Sequence, residues 1–294
     1  MDNLSYYIQQ LLAGVSVGGQ YALIAIGYTM VYGILRLINF AHGDIFMAAG
    51  FFMVYASTVM PLYLSLPLTL LLTVILGVSV EKIAYKPLRQ APRMSIMISA
   101  IGVSYLLQNF ATYYTGGLPR SYPTIPFIGE TIKLGSVSTS WITLITPVLT
   151  LILIIALVFL IKYTKVGMAM RAVSRDFETA QLMGIKINNV ISMTFVIGSF
   201  LAGVGSILFF TRYPTVTPII GAMPGLKAFV AAVFGGIGSI PGAVIGAFII
   251  GICENIIKSL GYTTFSDAFT FVLLIIVLIV RPSGLFGEKQ TEKV

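Results

Sequence analysis

Long apolar runs broken by short polar stretches set the pattern of this chain. The runs cover 9–35, 45–60, 62–80, 94–114, 141–161 and 190–210. A seventh stretch, 226–258, is interrupted by Gly235-Gly236-Ile237-Gly238-Ser239-Ile240-Pro241-Gly242, and a last, short run covers 268–280. About 20 apolar residues, rising 1.5 Å each, cross a bilayer core of roughly 30 Å as a helix. The pattern predicts an all-α integral membrane protein: a polytopic helix bundle of about 8–9 membrane segments, forming one transmembrane domain over 1–294. The arm of the seventh stretch that ends near Phe234 is too short to cross. A broken or re-entrant helix is therefore expected near 226–258, with the glycine-rich break inside the protein and close to a pathway. Non-helical backbone at that depth needs protein or a water-lined cavity around it.

Composition agrees. Hydrophobic residues make up 57% of the 294 positions and charged residues 10%, against roughly 25% charged in soluble domains. Such a chain cannot cover a water-facing surface, and it is too rich in large apolar residues to be disordered. The net charge of +8 does not point to nucleic acid, because the cations cluster between the apolar runs. Lys82, Lys86, Arg89 and Arg93 lie in 81–93, and Lys162, Lys165, Arg171, Arg175 and Lys186 lie in 162–186. Arg281, Lys289 and Lys293 lie in the tail. The positive-inside rule makes these three segments cytoplasmic. The 115–140 loop, with only Arg120 and Lys133 before Trp141, reads as external. An odd number of crossings follows, with the N-terminus outside and the C-terminus inside. The start, Met1-Asp2-Asn3-Leu4-Ser5, lacks the basic region of a signal peptide, so the first segment is expected to stay in the mature protein.

The chain has no Gly-Lys dipeptide, and so no Walker A phosphate cradle. Ion-driven carriers place ionisable residues in mid-span. Deep polar candidates here are few: Gln20, Asn39, His42, Asp44, Gln108, Asn109, Glu254 and Asn255. Glu254 is expected near the outer end of its helix, as a snorkelling carboxylate. His42 is the single histidine and Cys253 the single cysteine, so no metal cluster, catalytic residue or disulfide is expected. An inert buried thiol suits Cys253. Driving force is then expected from a partner. Asp44 looks like the N-cap of the 45–60 run, and Asn39 or His42 can bridge freed backbone groups beside it. Ser95, Ser99, Gly102, Leu106 and Asn109 recur at four- and three-residue steps and share one helix face. With Asn39, Gly235, Gly236 and Gly238 they are candidates to line a pathway. Gly14/Gly18 and Gly242/Gly246 have GxxxG spacing, read as packing within the chain.

The loop 162–186 holds a further element. Ser174 reads as an N-cap, Asp176 and Glu178 fall in the first turn where the helix dipole favours acid, and Gly184 suits the left-handed C′ position. Phe177, Ala180 and Gly184 share a face, with Met183 on its flank. A helix of about nine residues is not stable alone, so Ser174, Phe177, Glu178, Ala180, Met183 and Gly184 are expected to dock on another surface.

Glu178-Thr179-Ala180, followed by Gly184, resembles the Glu-Ala-Ala…Gly loop by which ABC-importer permeases engage their ATPases, with Thr179 standing where that pattern has Ala. Asn39-Phe40-Ala41-His42-Gly43-Asp44, the stretch from Phe234 through the break to Ala243, and Arg281-Pro282-Ser283-Gly284-Leu285 resemble the LivH-type permease subunits of bacterial branched-chain amino-acid importers. The resemblance covers nearly the whole chain. It implies a second, homologous permease subunit, two ATPase subunits that use the ATP, an external solute-binding protein and a bacterial plasma-membrane location. It also implies hydrophobic amino acids as substrate, while similar subunits carry urea or short amides. A self-contained channel or ion-coupled carrier is the competing class, and co-purification of ATPase subunits separates the two.

Overall fold

The computed structural model describes residues 3–89, 91–126, 128–134 and 137–287. Lys289 and Lys293 lie outside them. The longest helix, α1 (Asn3–Leu35), stops at Arg36, whose φ of 54° cannot continue it. Residues 36–41 then fold back into the bundle, so that α2 (His42–Val59) starts beside Gly27, about two turns short of the end of α1. There the His42 ring lies where a β-carbon on Gly27 would be. After Pro61, α3 (Leu62–Val80) runs on through a π turn (Glu81–Tyr85) and a 3-10 turn (Lys86–Leu88). α4 (Arg93–Thr115) follows Pro92 and ends at left-handed Gly116, as helix C-termini commonly do.

The next segment is a small cap. β1 (Arg120–Ser121) pairs antiparallel with β4 (Thr215–Val216), Arg120 opposite Val216. β2 (Thr131–Leu134) and β3 (Val137–Ser140) form a hairpin with Thr131 opposite Ser140. α5 (Trp141–Tyr163) follows, then the short α6 (Lys165–Arg175) and α7 (Phe177–Leu182), and α8 (Ile187–Arg212). α9 (Ala222–Gly235), α10 (Ile240–Ser259) and α11 (Ser266–Val280) complete the bundle.

Among the described residues, seven helices are long and apolar enough to cross a membrane. α2 and α9 add two shorter apolar segments, which agrees with the expected count of eight to nine. The 226–258 stretch is broken as expected: α9 ends at Gly235, and Gly236 and Gly238 take φ of 109° and 97°. Packing centres on α1. Gly14 and Gly18 bring its backbone against Ile252 and Phe248 of α10, and Gly246 of α10 abuts Ala231 of α9. Both GxxxG pairs therefore serve close helix approach inside this chain.

Contacts define two opposite ends. At one, Tyr6 donates to the Ser259 carbonyl (3.1 Å) and Gln9 to the Ser138 carbonyl of the hairpin (2.7 Å). At the other, Arg36 donates to the Ser174 carbonyl (3.4 Å), and Gly33 approaches Gly238. The tail lies at this second end: the amides of Leu285 and Phe286 donate to the carbonyls of Phe234 and Gly235 (3.0 and 2.9 Å), satisfying the last turn of α9. The start of α1 and the tail thus sit at opposite ends of the bundle. α4, α5 and α11 turn wide apolar faces outward, including Phe110, Phe159 and Ile279.

Candidate functional site

Two surfaces gather the chemistry. The first is the α6–α7 elbow. Thr164 caps α6, its Oγ1 accepting from the Gly167 amide (3.1 Å), and Met170 and Val173 bury the helix's apolar side. At Asp176 the backbone turns extended (φ −151°), which ends α6. Asp176 then caps α7: its carboxylate accepts from the Thr179 amide (3.0 Å) and hydroxyl (2.7 Å). Ser174 is therefore no cap. It lies in the last turn of α6 and donates to the Arg171 carbonyl (3.0 Å). Ala180 points into the core, 4% exposed, while Phe177, Leu182 and Met183 are exposed. Glu178 is exposed too. Gly184 takes φ 82° with open space around its Cα, as a left-handed C′ residue should. Leu182, 87% exposed, is absent from the expected docking face because it lies about 200° around the helix from Ala180 and Gly184.

The second surface is a cleft of about 350 Å³ halfway along the bundle, between the start of α2, the middle of α4 and the start of α9. Asp44 lies in it. α2 begins at His42 with Ala41 as N-cap residue, so Asp44 is not the cap but a first-turn acid. Its Oδ1 accepts from Gln108 Nε2 of α4 (2.9 Å), which also lies 3.3 Å from Ser104 Oγ. Tyr28, Tyr105 and Phe229 supply aromatic walls. The start of α9 can approach because Gly43, Gly221 and Gly225 meet backbone to backbone, and a β-carbon on Gly225 would come within 2.8 Å of the Gly43 Cα.

The expected pathway face of α4 is not this wall. Gly102, Leu106 and Asn109 are exposed on the outside of the helix, and Asn109 donates to its own Tyr105 carbonyl (2.8 Å). Ser95 and Ser99 are half-buried, Ser99 donating to the Ala84 carbonyl (3.4 Å). The neighbouring face, with Ile101, Ser104, Tyr105 and Gln108, lines the cleft. Asn39 is buried and accepts from the Tyr85 hydroxyl (2.8 Å). Its Nδ2 and the Nε2 of His42 have no hydrogen-bond partner among the described residues. Gly235 and Gly236 are buried under the tail and Gly238 is exposed, away from the cleft.

Glu254 lies near the end of α10 as expected, but it is buried and paired rather than snorkelling. It is 1% exposed and accepts from Lys227 of α9 (2.8 Å), Lys258 (2.5 Å) and the Tyr21 hydroxyl of α1 (3.0 Å). Lys227 reaches Asp267 of α11 as well (2.6 Å). This network joins four helices. Lys227, a cation inside an apolar run, was the available signal and went unread. A second buried acid, Glu81, pairs with Arg89 and accepts from Ser192 of α8 (2.9 Å), tying the basic 81–93 segment to the bundle.

Comparison with known proteins is consistent along the chain. Residues 10–278 match the family described as the permease component of the branched-chain amino acid transport system. The high-affinity branched-chain amino acid transport system permease protein LivH of Escherichia coli (strain K12) is 40% identical, over all of this chain and 99% of the relative. BraD of Pseudomonas aeruginosa, a permease protein of the same description, is 39% identical over the whole of both chains. The ribose import permease protein RbsC of Haemophilus influenzae is 26% identical over 91% of this chain and 83% of its own length.

Proposed function

We propose a function from one premise: the chain belongs to the permease-component family of branched-chain amino acid transport systems. It is a multi-pass membrane subunit of an ABC importer, and its family is one of transport components rather than enzymes. In the reading we propose, this subunit pairs with a second, homologous permease to enclose the solute path. Two ATPase subunits bind and hydrolyse the ATP, and an external binding protein delivers a branched-chain amino acid. The full-length identity to LivH carries this reading.

The geometry supports a division of labour. The α6–α7 elbow, at the end shared with the tail, faces the cytoplasm and receives the ATPase through Phe177, Leu182 and Met183. The hairpin end faces outward with the start of α1. The membrane is the bacterial inner membrane. Because α6 packs on the bundle through Met170 and Val173, a push on α7 is passed to the start of α8 and the end of α1.

Purification of the tagged chain from its own membranes, followed by uptake of labelled leucine into proteoliposomes with the binding protein and ATP, tests the reading. Co-purifying ATPase and ATP-dependent leucine uptake are expected. Uptake of leucine without ATP or any ATPase subunit would instead indicate a self-contained carrier.

A further inference from the structure

The described residues contain three buried carboxylates, Asp44, Glu81 and Glu254. Two have cations: Arg89 serves Glu81, and Lys227 and Lys258 serve Glu254. Asp44, 2% exposed, makes no ion pair with a lysine, arginine or histidine among the described residues. It is also the one of the three that lines the cleft. A carboxylate inside a membrane is costly unless something positive meets it. The first turn of α2 supplies a partial positive charge, and Gln108 and Ser104 each a neutral hydrogen bond; none brings a full positive charge, and acceptor sites on the carboxylate stay open.

We propose that Asp44 is the receptor for a primary ammonium group, so that the cleft takes a zwitterionic amino acid rather than a neutral amide, urea or sugar. This rests on the importer reading above and names the solute's chemistry at the path. A volume of about 350 Å³ falls within the range of small-molecule sites, about 300–1,000 Å³. Tyr28, Tyr105 and Phe229 offer ring faces that attract an ammonium group and accept a branched apolar side chain. Gly221 and Ala222, at the start of α9, complete the lining beside Gly43. The cleft is open beside Ile101 and Tyr105, both exposed on α4, so a second subunit can close it.

The test uses the assembled permease–ATPase complex without its binding protein, so that only the membrane site selects. Binding of labelled leucine at millimolar concentration is measured against leucinamide, which keeps the ammonium, and 4-methylpentanoate, which lacks it. Leucinamide is expected to compete and 4-methylpentanoate not to. Asp44→Asn should weaken leucine binding at least about tenfold, and Asp44→Glu should restore most of it, because losing one partner of a buried charge pair is costly. Equal competition by both analogues overturns the proposal, and so does leucine affinity unchanged in Asp44→Asn. So does a wild-type complex that binds no leucine. The competition arm needs no variant and stands if Asp44→Asn fails to assemble. ATP-driven leucine uptake by the wild type, with the Asp44 arms failing, sinks the ammonium receptor and leaves the importer intact. Loss of ATP-driven uptake altogether sinks both.

Discussion

Single residues decide where helices can meet in this protein. Gly27 is the sharpest case: its missing side chain is the space in which the buried His42 ring stands, edge-on to Tyr28 at 4.9 Å between ring centroids. Gly27→Val would drive α2 away from α1 and open the cleft wall, at a cost of about 1–3 kcal/mol for overpacking. A lowered melting midpoint in detergent, with the helix content retained, is the expected outcome. The Lys227–Glu254 pair makes the opposite point, because its charges are wanted only together. Lys227→Ala leaves Glu254 with Lys258 as its one cation and Asp267 with none among the described residues, and should destabilise the protein by about 3 kcal/mol. Lys227→Met with Glu254→Leu and Asp267→Asn should recover much of that loss, because a well-packed apolar replacement of a buried pair is often neutral or better. A triple variant less stable than Lys227→Ala would show that the charges do more than fasten helices.

At the scale of elements, the spans were legible because each crossing needs an uninterrupted apolar run, and bilayer thickness sets its length. The break after Gly235 was legible for the same reason, four glycines and a proline being unable to extend a helix. Faces and caps were less so. The offset between Ser174 and Asp176 is only two residues, and both types cap helices well; only the extended backbone at Asp176 decides between them. Which face of α7 meets the bundle is a tertiary choice, and it buries Ala180, which was expected on the docking face. The rotation of α4 hid the cleft in the same way, since its polar and small residues are spread around the helix and the winning face depends on where α2 folds back. These corrections reassign the tests at the elbow. Leu182→Arg or Met183→Arg should cut ATPase co-purification several-fold with an unchanged melting midpoint. Ala180→Arg should lower the midpoint itself, because a buried charge has no partner there. If Leu182→Arg and Met183→Arg both pull down ATPase normally, the elbow is not the coupling surface. The tail is a second element with a job: at Gly284, φ 79° and the closeness of the Gly236 backbone leave no room for a side chain. Gly284→Val should therefore free the tail from α9, read as faster proteolysis after Val280.

For the whole molecule, handedness in the membrane follows from which loops share an end. The start of α1, the 131–140 hairpin and the end of α10 are joined by hydrogen bonds from Tyr6 and Gln9. The elbow, the end of α1, the break and the tail are joined by Arg36, Leu285 and Phe286. Two such groups, at opposite ends of an apolar bundle, admit only an odd number of crossings between the chain's beginning and its tail. Charge then chooses the side. Lys162, Lys165, Arg171, Arg175 and Lys186 flank the elbow, while Arg120 and Lys133 are the only cations in 115–140, so the positive-inside rule predicts a cytoplasmic elbow end, as in the proposed reading. Cysteines placed one at a time at exposed Tyr7, Leu118 and Met183, in a Cys253→Ser background, report the arrangement to an impermeant thiol reagent. Tyr7→Cys and Leu118→Cys should react in intact cells lacking an outer barrier, and Met183→Cys only after the membrane is opened. Labelling of all three from one side would refute the opposite-ends arrangement. The reverse sidedness would keep the bundle and overturn the charge rule for this chain, placing the elbow where no ATPase could reach it.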